Sequence, residues 1–131
     1  MSGYGLYMCG TDAGEETVME YIRNEHNVKI AEAVCDAIHE NAAYLSEIDG
    51  AIGDGDHGVN MNKGFLMAKQ RLREDMSFSE SMKTISRTLV MDIGGSMGPI
   101  YGTMFSRIAK ASKQEEKLTR EIFLNALQDA L

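Results

Sequence analysis

The chain has no tryptophan, a single proline and only two cysteines among its 131 residues. Cys9 and Cys35 form no CxxC pair and no metal-ligand spacing, so neither a thiol redox motif nor a thiolate metal centre is expected. A reduced, cytoplasmic setting follows as the default. Basic residues are also in deficit: 13 Lys+Arg stand against 20 Asp+Glu, a formal net charge of −7. Nucleic acid and anionic membranes reward clustered Lys and Arg, so both are excluded as main partners. No apolar run approaches the length of a bilayer span. Residues 1–14 lack the basic start and apolar stretch of a signal peptide. What remains is ordinary, with 44% apolar and 25% charged residues. That composition and length fit one soluble globular domain with a real core.

All 13 glycines fall into three groups, at 3–14, 50–64 and 94–102, and the one proline, Pro99, lies in the third. Residues 1–26 show no periodicity and read as a flexible leader. The domain proper is expected over residues 27–131. Ala31, Val34, Cys35, Ile38, Ala42 and Leu45 recur at helical spacing and predict one amphipathic helix ending near Ser46. A second helix carries Met61, Phe65, Ala68 and Leu72. Ser77 and Glu80 form a capping-box signature ahead of a third helix with Phe78, Met82, Ile85, Leu89 and Ile93. Pro99 is placed in the first turn of a fourth, which carries Tyr101, Met104, Phe105, Ile108 and Ala109. Thr119 caps a fifth, with Phe123, Leu127, Ala130 and Leu131. Five helices and no strand predict an all-α fold. The last helix ends on an apolar residue with no C-cap, which suggests a chain cut short.

The stretch from Asp49 to Gly58 holds four glycines and three aspartates and reads as a loop. Asp49, Asp54 and Asp56 would repel one another without a cation, and hard cations such as Mg²⁺ favour such oxygen clusters. An EF-hand is excluded. Position 12 falls on Phe65 counted from Asp54 and on Asn60 counted from Asp49, so the bidentate Glu is missing. The competing bland reading is an acidic turn with a capping aspartate. His57 and Asn60 follow at a helix start, whose free N–H groups and positive dipole end suit a phosphate. The second glycine loop, from Gly94 to Pro99, also leads into a helix. Small residues there let main-chain N–H groups approach an anion, and Ser96 adds a hydroxyl. No Lys follows as a Walker A loop requires, and a tight helix–helix turn is the alternative. Together the two loops suggest a nucleotide whose phosphates are bridged by Mg²⁺.

The string Gly53-Asp54-Gly55-Asp56-His57-Gly58, followed by Asn60-Met61 and Gly64-Phe65, closely resembles the signature of the nucleotide-binding L subunits of dihydroxyacetone kinases. Gly94-Gly95 with Gly98-Pro99, then Tyr101-Gly102-Thr103 and Phe105, is similar to that family's second signature. The resemblance implies a barrel of antiparallel amphipathic helices with the nucleotide among the connecting loops at one end. It implies that Asp49, Asp54 and Asp56 hold two Mg²⁺ ions. It places the ADP or ATP against His57, Gly58, Val59 and Asn60, and against Gly95, Ser96 and Met97. In the phosphotransferase-dependent branch, bound ADP accepts a phosphoryl group from a phosphohistidine donor subunit and passes it to dihydroxyacetone on a partner subunit. No residue of the domain is covalently phosphorylated, so no catalytic side chain is assigned. The alternatives are an ATP-dependent polyol kinase domain, a fatty-acid kinase domain and a non-catalytic regulatory homologue. His57 stands where the fatty-acid kinases typically have Thr. Ser96-Met97 departs from the family's usual Ala-Ser, which shifts any hydroxyl contact by one position. The resemblance covers about the first two-thirds of the family's domain and leaves room for a homodimer.

The other polar and sulfur residues read more simply. His26 and His39 are expected at the surface, and Cys35 in the core. The ten methionines read as gap-fillers between helices. Tyr101 is assigned to the core or an interface.

Overall fold

A computed structural model describes residues 4–10, 16–93 and 95–130. Leu131 and Gly94, named above, lie outside them, as do the side chains of residues 4–10 and 16–20, including Cys9. Two strands come first, β1 (Tyr4–Gly10) and β2 (Glu16–Arg23), paired antiparallel from Tyr4↔Ile22 to Gly10↔Glu16. Five helices follow: α1 (Lys29–Glu40), α2 (Ala42–Gly50), α3 (His57–Arg71), α4 (Phe78–Asp92) and α5 (Met97–Ser112). A short strand, β3 (Lys117–Thr119), then pairs antiparallel with β2, and α6 (Arg120–Ala130) completes the described chain.

The architecture is the expected all-α bundle with a small three-stranded sheet added, in the order β1-β2-β3. The core is helical. Phe65, Phe78, Ile85 and Leu89 are almost fully buried, and Phe65 meets Phe105 edge-on at 5.7 Å. The strands occupy the segment expected as a leader. The segment carries no clean apolar–polar alternation in the sequence, and the β2–β3 pairing is long-range, which local periodicity does not report. Leu118 of β3 is buried at the sheet–core junction.

Two helix boundaries also differ from expectation. The first predicted helix is split at Asn41, whose backbone sits at φ −105°, ψ 8°. The Asn41 amide side chain donates to the Ala37 carbonyl at 2.8 Å, the kind of local bond by which Asn competes with helix continuation. The following helix, α2, runs on to Gly50, so Asp49 lies in its last turn and not in a loop. The Ser77–Glu80 capping box forms as expected, with both bonds at 3.1 Å. Pro99 falls in the first turn of α5, and Thr119 Oγ1 accepts from Ile122 N at 3.3 Å at the start of α6. Cys35 is fully buried in the core, and burial pushes its thiol up to about 11. His26 and His39 are exposed.

Helices α2 and α3 form an antiparallel pair bound at close range. A Cβ on Gly58 would run into the Ala42 carbonyl oxygen and come within 2.6 Å of Ser46 Oγ, so only glycine lets α3 approach so near. Helices α4 and α5 make the most extensive helix–helix contact. At their junction, a Cβ on Gly98 would lie 2.6 Å from the Ile93 carbonyl oxygen. Deeper in the pair, Ser86 Oγ donates to the Gly102 carbonyl at 2.6 Å. Further on, Ser79 meets Ser112 at 2.8 Å. The order of these contacts makes the pair antiparallel and puts the start of α5 beside the end of α4.

Candidate metal and nucleotide site

One ligand oxygen from each of Asp49, Asp54 and Asp56 can be chosen so that all lie within 4.8 Å of one another. Asp49 is half-buried, and the other two are exposed. Like charges at this spacing repel by about 1 kcal/mol per pair in water and by more near a protein surface. The local sequence makes the conflict worse. Asp49 occupies the last turn of α2, at the negative end of that helix dipole, and no basic residue accompanies it there.

Backbone donors from the next segment relieve part of this. Asp49 Oδ2 accepts from Gly55 N at 3.0 Å and from His57 N at 3.3 Å. Asp54 Oδ1 accepts a weaker bond from Asp56 N at 3.4 Å. Gly55 reaches this arrangement with φ at +76°, a conformation that glycine adopts without strain.

Asp56 is the N-cap of α3, yet its carboxylate accepts no capping hydrogen bond. The usual capping duty is taken by the neighbouring helix: Ser46 Oγ of α2 accepts from Val59 N at 3.2 Å. Asp56 is thereby released from the role that Asp ordinarily plays at this position. Three carboxylates converge, and only Asp49 is heavily engaged by the protein. Hard oxygen donors in this number fit a divalent cation that completes its shell with water or phosphate.

The second glycine loop reaches the same end of the bundle. The rings of His57 in α3 and Tyr101 in α5 meet edge-on, with centroids 6.4 Å apart. Gly95 turns at φ +74°, and Ser96 then serves as the N-cap of α5 without a side-chain capping bond. The Ser96 hydroxyl and the N–H groups of Met97 and Gly98 are therefore available donors among the described residues. In α3 the N–H groups of His57 and Val59 are already used, and Asn60 N bonds to the Asp56 carbonyl at 3.0 Å. The remaining first-turn donor there is Gly58 N.

The fold thus gathers Asp49, Asp54 and Asp56 and sets Tyr101, in the second turn of α5, beside His57. Sequence reasoning missed Ser46, which looks like any polar residue on a helix. Only the α2–α3 packing shows its function. Tyr101 was assigned to the core or an interface, and it is half-buried beside the site.

Residues 51–131 match the family model of the DAK2 domain. Among curated proteins, the chain is 44% identical over 77 residues to the PTS-dependent dihydroxyacetone kinase, ADP-binding subunit DhaL, of Lactococcus lactis, covering 57% of this chain and 40% of that protein. It is 41% identical over 91 residues to the ADP-binding subunit DhaL of PEP-dependent dihydroxyacetone kinase 1 from Listeria innocua, covering 65% of this chain and 46% of that one. The corresponding Escherichia coli subunit is 35% identical over 96 residues, covering 72% of this chain and 46% of its own. The chain spans less than half the length of these relatives.

Proposed function

The chain belongs to the DAK2 domain family, and from that premise we propose that it is the ADP- or ATP-binding component of a dihydroxyacetone kinase. In this reading Asp49, Asp54 and Asp56 hold two Mg²⁺ ions. Three carboxylates against two divalent cations leave a small positive excess, which favours a polyphosphate. Gly58 N, the Ser96 hydroxyl and the N–H groups of Met97 and Gly98 supply the donors for its oxygens. His57, Val59, Asn60 and Gly95 complete the lining. A backbone donor at Met97 serves a phosphate whatever the side chain, so the departure from Ala-Ser is compatible with binding.

Asp49, Asp54 and Asp56 would hold the magnesium–nucleotide group, and the chemistry it would supply is phosphoryl relay from a phosphohistidine donor of the phosphotransferase system to dihydroxyacetone on a partner subunit. The names of the relatives support this branch, since they are PTS- or PEP-dependent kinase subunits. The chain's own residues hold the cations and donate hydrogen bonds that position the phosphate oxygens. Phosphoryl transfer requires little more of a protein, so no side chain needs to become phosphorylated.

The observation that carries the reading is the released carboxylate of Asp56 beside Asp49 and Asp54. Calorimetric titration of ADP with and without Mg²⁺ tests it. We expect Mg²⁺-dependent binding that weakens by at least about tenfold in Asp54→Ala, the equivalent of about 1.4 kcal/mol. Binding indifferent to Mg²⁺, or unchanged in the variant, would overturn the assignment.

A further inference from the structure

At the other end of α4 and α5 a half-open cavity of about 360 Å³ lies between Ser79, Glu80 and Lys83 on one helix and Ser106 and Lys110 on the other, with Lys113 just past the end of α5. Along α4, Lys83 stands ten residues before Ile93, so the cavity lies about 15 Å along the helix from the α4–α5 junction. Its volume falls in the lower part of the roughly 300–1,000 Å³ typical of small-molecule sites.

The charge here runs against the rest of the molecule. In a chain of net −7, three lysines gather round one cavity, and none of them has an ion-pair partner among the described residues. The one carboxylate present, Glu80, is engaged by Ser77 N at 3.1 Å in the capping box. Of the lining serines, Ser79 is already bonded to Asn24 and to Ser112, so its hydroxyl holds the helices together and the lysines are the charged donors at the cavity. Lys113 also borders a more open depression with Glu25, Glu115 and Glu116, which makes Lys83 and Lys110 the dominant pair.

We propose that this cavity binds a small phosphate-bearing anion, independently of the nucleotide site. Lysine ammonium groups bind phosphate as compact point charges with rotatable donors, without the bidentate geometry that an arginine fork would impose. The test is an amide NMR titration of the intact chain with inorganic phosphate and with pyrophosphate, in EDTA to silence any cation site. Shifts should cluster at residues 79–83 and 106–113. The double variant Lys83→Gln/Lys110→Gln should weaken binding by about tenfold or more, Lys113→Gln by less, and Asp54→Ala not at all. The proposal is overturned by no response up to about 10 mM, well beyond useful affinity. It is equally overturned by shifts centred on residues 57–60 and 95–98, by an unaffected double variant, or by a response to poly-aspartate but not to phosphate.

Discussion

Gly58 concentrates the demands of the site in one residue. It is buried in the first turn of α3, against the Ala42 carbonyl oxygen and Ser46 Oγ, while its N–H lies at the helix start beside the carboxylate group. The obstacle to a side chain is backbone, which cannot swing aside as a flexible side chain could. Gly58→Ala must therefore push α3 off α2. That movement would break the Ser46–Val59 bond and pull His57 N away from Asp49. We expect a stability loss of about 1–3 kcal/mol, as for overpacked cores, measured by urea denaturation. The variant should also lose Mg²⁺-dependent ADP affinity under conditions where it is still folded. Retained affinity in a folded Gly58→Ala protein would show that the α2–α3 approach does not set the site. Cys35 shows the opposite case, a residue whose chemistry the fold suppresses. With its thiol pushed up to about 11 by burial, it stays protonated at neutral pH and acts as a small core side chain.

Among the elements, α4 illustrates how far local signals reach. Its start is declared by Ser77 and Glu80, and both capping bonds form. Ser77→Ala should cost about 1 kcal/mol, seen as a lower urea midpoint with an unchanged m-value; a shift within error would mean that Phe78 packing alone holds the helix start. Stripes and caps of this kind are written into consecutive residues, which is why α3 to α6 are legible in the sequence. The Asp49, Asp54 and Asp56 group was legible for the same reason, being packed into one short segment. The break at Asn41 was not, because Ala37 and Ala42 continue an acceptable helical pattern and only the Asn side chain's competition for a carbonyl decides against it. Nor was β3, since its pairing with β2 joins residues nearly a hundred positions apart, from Tyr21 to Thr119, and without it the local β1–β2 pairing has little to mark it in the sequence. Ser46 was hidden for a related reason. Its function depends on a neighbour thirteen positions away in the chain.

At the scale of the whole molecule, the sheet is tied to the helical bundle through Asn24, just beyond β2. Asn24 is buried, and its side chain makes four bonds: Nδ2 donates to the carbonyls of Ser112 at 2.9 Å and Glu115 at 2.7 Å, while Oδ1 accepts from Ser79 N at 3.0 Å and Ser79 Oγ at 3.1 Å. Its backbone joins in, with Phe78 N donating to the Asn24 carbonyl at 2.7 Å and Asn24 N donating to the Glu116 carbonyl at 3.1 Å. One residue thereby fastens β2 to the start of α4 and to the end of α5, the same two helices that carry the lysine cavity and, at their far ends, the second glycine loop. The two donors and two acceptors fix the amide orientation and make the isosteric variant Asn24→Asp informative. Asp keeps the acceptor toward Ser79 but sets a carboxylate oxygen against the two carbonyls that the amide nitrogen had served. Leaving buried carbonyls unpaired, with a charge beside them, should cost about 2–4 kcal/mol. The loss should be cooperative. Amide hydrogen exchange should show β3, residues 117–119, and the first turn of α4 losing protection together, while α3 at the carboxylate site keeps most of its own. If β3 loosened alone and α4 stayed protected, Asn24 would be a local pin for the strand, and the joining of sheet and bundle would have to rest on Leu118 and the apolar contacts around it.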